Sequence, residues 1–161
     1  MKNILVPTDF SIRSLGYVHS VVEKQQGEPV NIVFMHALKM PDSIIDLLHF
    51  NRGARHHDLI TNEFREACEI LKNKYASAIG DISVEFFVGS TNASFRNFLL
   101  ANNINAIAHP EEESYQLPGK DSFNPAQLIK KCRYPRVEVQ AVTRKPSFVR
   151  ASISDLLLAN T

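Results

Sequence analysis

Three residues of this chain have types and positions suited to chemistry: Asp9, His36 and His109. Each closely follows a short apolar run, Ile4–Val6 before Asp9, Val33–Met35 before His36 and Ala106–Ala108 before His109. If those runs are parallel strands of one sheet, their carboxyl ends share an edge, and that edge is where open α/β sheets bind ligands. One carboxylate with two imidazoles is a donor set for zinc or iron, and it can equally move a proton. Asp9 has a second reading, because Asp9 and Ser11 also suit the cap of a helix opening at Ile12. No nucleophile elbow, Cys/His pair or Walker loop accompanies the set. Cys68 and Cys132 are far apart, with neither a disulfide framework nor metal-ligand spacing. His56-His57 beside Arg55 and the run Glu111-Glu112-Glu113 read as solvent-facing segments.

The elements that must position these residues follow from hydrophobic periodicity. Strands are expected at Asn3–Val6, Val30–His36, Ser83–Val88, Asn105–Ala108 and Arg136–Val142. Pro7 ends the first, since proline has no N–H for a sheet ladder. Leu15, Val18, Val21 and Val22 predict a helix closing near Gln26-Gly27, where Gly27 suits a left-handed cap. A longer helix is expected from about Asp58 to Ile79, with Ile60, Phe64, Ala67, Ile70, Leu71, Tyr75 and Ala78 on its stripe. A third opens after Gly89-Ser90 and carries Phe95, Phe98 and Leu99. A fourth starts at Asn124-Pro125, with Asn124 as cap and proline in the first turn. Strand–helix alternation implies parallel pairing with right-handed crossovers. The expected fold class is therefore α/β: an open five-stranded parallel sheet with helices on both faces, plus a C-terminal helical tail.

Two segments stand outside the alternation. Leu38–His57 is an insertion whose Ile44, Ile45, Leu47, Leu48 and Phe50 suggest a short helix. Phe148–Asn160 places Val149, Ile153, Leu156 and Leu157 at helical spacing. The expected organisation is one α/β domain over residues 1–145 and a tail over 146–161, which suits 161 residues with 44% hydrophobic content. Net charge is +1, so no global field favours nucleic acid or a membrane. From Gln127 to Arg150 there are seven Lys/Arg against one acid, Glu138, which reads as a solvated face. Asp9 interrupts the N-terminal apolar run, leaving neither a signal peptide nor a membrane span in the reading. A cytoplasmic protein is expected.

The opening Ile-Leu-Val-Pro-Thr-Asp-Phe-Ser resembles that of the universal stress protein family. So do Val33-Phe34-Met35-His36, an apolar strand closing on histidine, and Phe87-Val88-Gly89, a third strand with its glycine. Asn105-Ala-Ile-Ala108 is similar to the family's fourth strand, and Tyr134-Pro135-Arg-Val-Glu-Val139 to its last. The order and spacing of these five landmarks, over roughly Lys2 to Val142, carry more than any one alone. The resemblance implies an adenine nucleotide alpha hydrolase-like sheet that commonly dimerises through its last strand.

It also implies a nucleotide site in two halves. In nucleotide-binding members a Gly-x2-Gly-x9-Gly-Ser/Thr loop after the fourth strand holds the phosphates. Here Pro110 stands at the first glycine and Glu113 at the second, and Ser122-Phe123 takes the final pair once one gap is allowed. Proline offers no N–H, and carboxylates near a triphosphate are repulsive, by order 1 kcal/mol or more per close pair. Gly119-Lys120 is the one Gly-Lys pair left for an anion. The adenine-and-ribose half is better kept, at Pro7, Thr8, Asp9, His36 and Ala37, and Gly89 after the third strand is a further candidate ligand-binding residue.

These readings lead to a regulatory or interaction module of stress-response type that has lost ATP binding. It is not expected to be an enzyme or to carry a cofactor or metal. A binder of AMP or a nucleoside at the retained half-site is the alternative, and a metal or catalytic site at Asp9, His36 and His109 is a lesser one. The last strand alternates Arg136, Glu138 and Gln140 with Val137, Val139 and Ala141, which marks a sheet edge. With the apolar tail, that edge leads to an expected homodimer, with no nucleic-acid or membrane partner; a protein partner also fits.

Overall fold

The first strand, β1 (Lys2–Pro7), is central because its side chains suit burial on both faces: Ile4, Leu5 and Val6 are fully buried. In the computed structural model, residues 1–40, 44, 45, 48, 57–110 and 115–139 are described, with the side chains of His57, His109 and Pro110 excepted. The remaining strands are β2 (Val30–Leu38), β3 (Ile79–Val88), β4 (Ala106–Pro110) and β5 (Arg136–Val139). All pairings are parallel, and the order across the sheet is β3-β2-β1-β4-β5. This is the five-stranded α/β architecture expected. The order brings the carboxyl ends of β1, β2 and β4 side by side.

Five α-helices are described: α1 (Ile12–Leu15), α2 (Tyr17–Lys24), α3 (Asn62–Lys74), α4 (Asn92–Ala101) and α5 (Ala126–Lys131). The first three cover one face, where Leu15, Val18, Phe64 and Leu71 pack on Ile4, Val6, Ile32 and Phe34. Phe64 meets Phe34 edge to face at 5.3 Å and is 1% exposed, a burial that contributes roughly 2–3 kcal/mol. Helices α4 and α5 cover the other face, with Phe95, Leu99, Leu128 and Ile129 on Leu5, Val33, Met35 and Ile107. On that face the start of β3 stays open, and Asp81, Ser83 and Glu85 line a polar cleft of about 170 Å³ with Asn3, Asn31 and Asn102.

Local chemistry sets the boundaries. Ser11, Thr61 and Thr91 each cap a helix through the side-chain oxygen. The first expected helix is two, because Gly16 ends α1 and begins α2. The 58–79 expectation is too long at both ends. A 3-10 turn occupies His57–Leu59, α3 starts at Asn62, and Tyr75 caps it so that Ile79 already pairs with Val30. Asn124 accepts from the Ala126 N–H at 3.0 Å, but Pro125 is the residue that precedes the first helical position. Strand β4 runs on through His109, opposite Glu138, to Pro110. The expected extension of the last strand to Val142, Glu111–Glu113 and the whole tail lie outside the described residues. Among the described residues, no helix is long and apolar enough to cross a membrane.

Candidate functional site

The site is built on the turn that leaves β1. Thr8 continues the ladder, its N–H donating to Met35 O at 2.8 Å. The Ser14 hydroxyl donates to Ser11 O at 2.7 Å, so the Thr8 hydroxyl donates to Ser14 Oγ, also at 2.7 Å, while accepting from the Phe10 N–H at 3.0 Å. These bonds hold Phe10 at φ 63°, in the left-handed region. A non-glycine residue there is strained by roughly 1–2 kcal/mol. The same turn delivers the Phe10 ring to the core, edge-on to Phe64 at 5.3 Å. Asp9 is 7% exposed, and its Oδ1 accepts from both the N–H and the hydroxyl of Ser11.

His36 sits where β2 passes beside that turn, with no solvent exposure. Its Nδ1 lies 2.8 Å from Thr8 O, which can only accept, so Nδ1 carries the proton. Nε2 then accepts from the Ser122 hydroxyl at 2.7 Å. Burial pushes the imidazole pKa below its ordinary value and outweighs Thr8 O and the Asp9 carboxylate, which pull the other way. The ring is flanked by Phe10 at 4.7 Å and by Tyr115, nearly parallel at 6.4 Å. Both ring nitrogens are therefore engaged, and neither presents a free lone pair to a metal.

Residues 115–123 run across this edge and supply the donors it needs. The Tyr115 hydroxyl donates to Thr8 O at 2.8 Å, and the Gln116 N–H to Asp9 Oδ2 at 2.9 Å. The Phe123 N–H donates to Ala37 O at 3.1 Å, and the Lys39 N–H returns the pairing to Asp121 O at 2.8 Å. Burial, and then the Asp9 charge, raise the Tyr115 phenol above its usual range, so it remains a donor. Gly119 accepts from the Ser122 N–H at 3.2 Å, which closes the turn that aims Ser122 at His36.

Of the residues expected from sequence, Pro7, Thr8, Asp9 and His36 come together, and Ala37 adjoins them through its carbonyl. Gly89 follows β3 at the same carboxyl edge: its N–H bonds Leu38 O at 3.1 Å, and a Cβ there would meet Ser94 Oγ at 2.7 Å, in the first turn of α4. His109 is carried to the expected edge by β4, with its side chain outside the described set. Among the described residues, no group of three or more His, Cys, Asp or Glu is arranged to hold a metal ion. Tyr115, Gln116 and Ser122 as the partner of His36 were not anticipated. The visible signal was Pro118-Gly119, a turn dipeptide ahead of the Asn124-Pro125 helix start, which says only that the chain doubles back.

No protein-family model matches the sequence, and no curated protein does. Solved structures do match in fold. The hypothetical protein PH0823 superposes with a TM-score of 0.54 at 16% identity, covering 89% of this chain and 99% of that one. Hypothetical protein MJ0577 gives 0.51 at 20% identity, covering 91% and 98%. The universal stress protein UspA from Lactobacillus plantarum gives 0.51 at 13% identity, covering 86% and 97%. At these identities the likeness is one of fold, and that fold is universal-stress-protein-like over nearly the whole of each match.

Proposed function

We propose, from this universal-stress-protein-like fold, that the chain is a cytoplasmic regulatory or interaction module of stress-response type that does not bind ATP. One observation carries the reading: Thr8 O, the Asp9 carboxylate and Ala37 O each accept a hydrogen bond from residues 115–123 of the same chain. A nucleotide base would have to take those acceptors. Pro110 supports the phosphate half of the argument, since it cannot present an N–H to an anion. Interaction is supported by exposed apolar side chains, among them Met40, Ile44, Ile45, Leu48 and Leu117. The deciding experiment is calorimetry with Mg-ATP, where no heat of binding is expected and micromolar affinity overturns the reading.

A second reading, a binder of AMP or a nucleoside, is favoured by a specific feature. Thr8 O, Asp9 and Ala37 O are acceptors at one sheet edge that a ligand's N–H donors could take in place of residues 115–123. Thermal-shift measurements with AMP and adenosine test it. We also propose a homodimer through the β5 edge and the tail, in which no residue of the chain is assigned a catalytic role.

A further inference from the structure

The contacts of residues 115–123 divide unevenly. Towards the sheet edge they are polar: the Tyr115 hydroxyl on Thr8 O, the Gln116 N–H on Asp9, the Ser122 hydroxyl on His36, and main-chain bonds pairing Lys39 with Asp121 and Ala37 with Phe123. Away from it the segment is wet, with Gln116, Leu117, Pro118 and Lys120 exposed. Apart from one isolated bridge, Leu38 to Ser122, it contains no regular secondary structure. A segment held by a few hydrogen bonds, with little apolar burial of its own, opens at lower free energy than the sheet beneath it. Phe123 is partly buried against the α4–α5 core, and α5 follows directly, so the segment pivots at Asn124-Pro125.

We propose that residues 115–123 are a releasable strap, an intramolecular occupant of the crevice whose donors hold the acceptors a ligand needs. Tyr115 supplies an aromatic ring parallel to His36 together with an O–H donor, and Gln116 adds an N–H directed at a carboxylate. Access to Asp9 and Thr8 O is then governed by strap opening, and any ligand binds in competition with the chain itself. The competition rests on the small-ligand reading above; the opening does not.

Amide hydrogen exchange on the full chain tests both parts. The amides of Gln116, Phe123 and Lys39 are expected to exchange at one shared rate, faster than those of Leu5, Ile32 and Phe34. Tyr115→Phe removes one anchor while leaving Thr8 O bonded to His36, and it should raise that shared rate about tenfold with sheet amides unchanged. Gln116→Pro, which deletes the N–H to Asp9, should act in the same direction on Phe123 and Lys39. Adenosine is the ligand probe, and at saturation it should speed exchange of the strap amides in Tyr115→Phe. Strap amides that exchange only at the rate of the sheet amides overturn the proposal. A cooperative opening that adenosine leaves untouched supports the strap and removes the small-ligand reading alone.

Discussion

Gln116 donates its main-chain N–H to Oδ2 of Asp9 at 2.9 Å, joining residues 107 positions apart in sequence. Asp9 thereby accepts from two segments at once, since Oδ1 holds the N–H and hydroxyl of Ser11. Its carboxylate fastens the start of α1 to the strap. Asp9→Ala leaves these donors without their acceptor in a nearly closed environment, and a loss of about 2 kcal/mol is expected, as for hydrogen bonds to charged groups. Asp9→Asn, which keeps one acceptor oxygen, should lose less. Urea unfolding measures both, and a loss below about 0.5 kcal/mol for Asp9→Ala contradicts a supporting role.

Stability should fall in mild acid through His36. Its pKa in the fold is lowered by burial, with Thr8 O and Asp9 opposing. Above the ordinary value of about 6.5, folded and unfolded chains both carry a neutral ring. Below it the unfolded chain takes a proton that the folded chain refuses, so stability declines as pH drops towards the lowered folded value. The groups facing the ring are Thr8 O, Asp9, Ser122, Tyr115, Phe10 and Phe86. His36→Gln should be less stable at pH 8 and decline less between pH 7.5 and 5.5. Parallel declines in the two proteins, followed by urea midpoints, argue against His36 as the source.

Phe10 combines a strained backbone with a buried ring, and two substitutions separate them. Phe10→Ala removes the ring and retains the left-handed strain, at an expected cost of about 3–4 kcal/mol. Phe10→Gly removes the ring and relieves the strain. The glycine variant should be at least as stable as the alanine variant, the reverse of the order at an ordinary backbone position. A glycine variant clearly less stable, by thermal or urea unfolding, refutes the strain.

A homodimer is expected in light scattering of the full chain. Strand β5 is a sheet edge with Arg136 and Glu138 exposed, and charges at an edge can discourage pairing. Arg136, however, turns its Nη2 to Ile129 O and Lys130 O, capping the end of α5 within its own subunit. That leaves Glu138 as the exposed charge on the described part of the edge. A version ending at Lys145 should be monomeric if the tail contributes to the interface. An unchanged dimer removes the tail from the interface, and a monomeric full chain refutes the dimer.

The sequence by itself determined the parts of this protein that depend on neighbours along the chain. Alternating apolar runs and helical stripes gave five strands and the helices between them, because burial period is a local property of the chain. Ser11 as a cap and Pro7 as a strand end were legible for the same reason. Errors fell at element ends, where tertiary pairing overrode propensity. Ile79, the expected end of the helix, joined β3 because Val30 offered a ladder partner, and β4 ran on through His109 because β5 lay alongside.

Only the tertiary structure decided what the edge residues do. Asp9 and His36 were identifiable from sequence because each lies at or just after an apolar strand run, although β2 continues past His36 to Leu38, and Pro7 and Thr8 came from the resemblance of the Pro-Thr-Asp turn. Their partners were not, since Tyr115, Gln116 and Ser122 lie in a segment with no period and reach the edge only after four of the five strands have formed. A carboxylate and an imidazole with open valences read as a site for a ligand. In the fold those valences are met by the chain itself, with donors on the Asp9 carboxylate and His36 Nε2 and the Thr8 carbonyl accepting from Nδ1. A hydrogen bond depends on distance and direction in space, and spacing along the chain fixes neither across 107 residues.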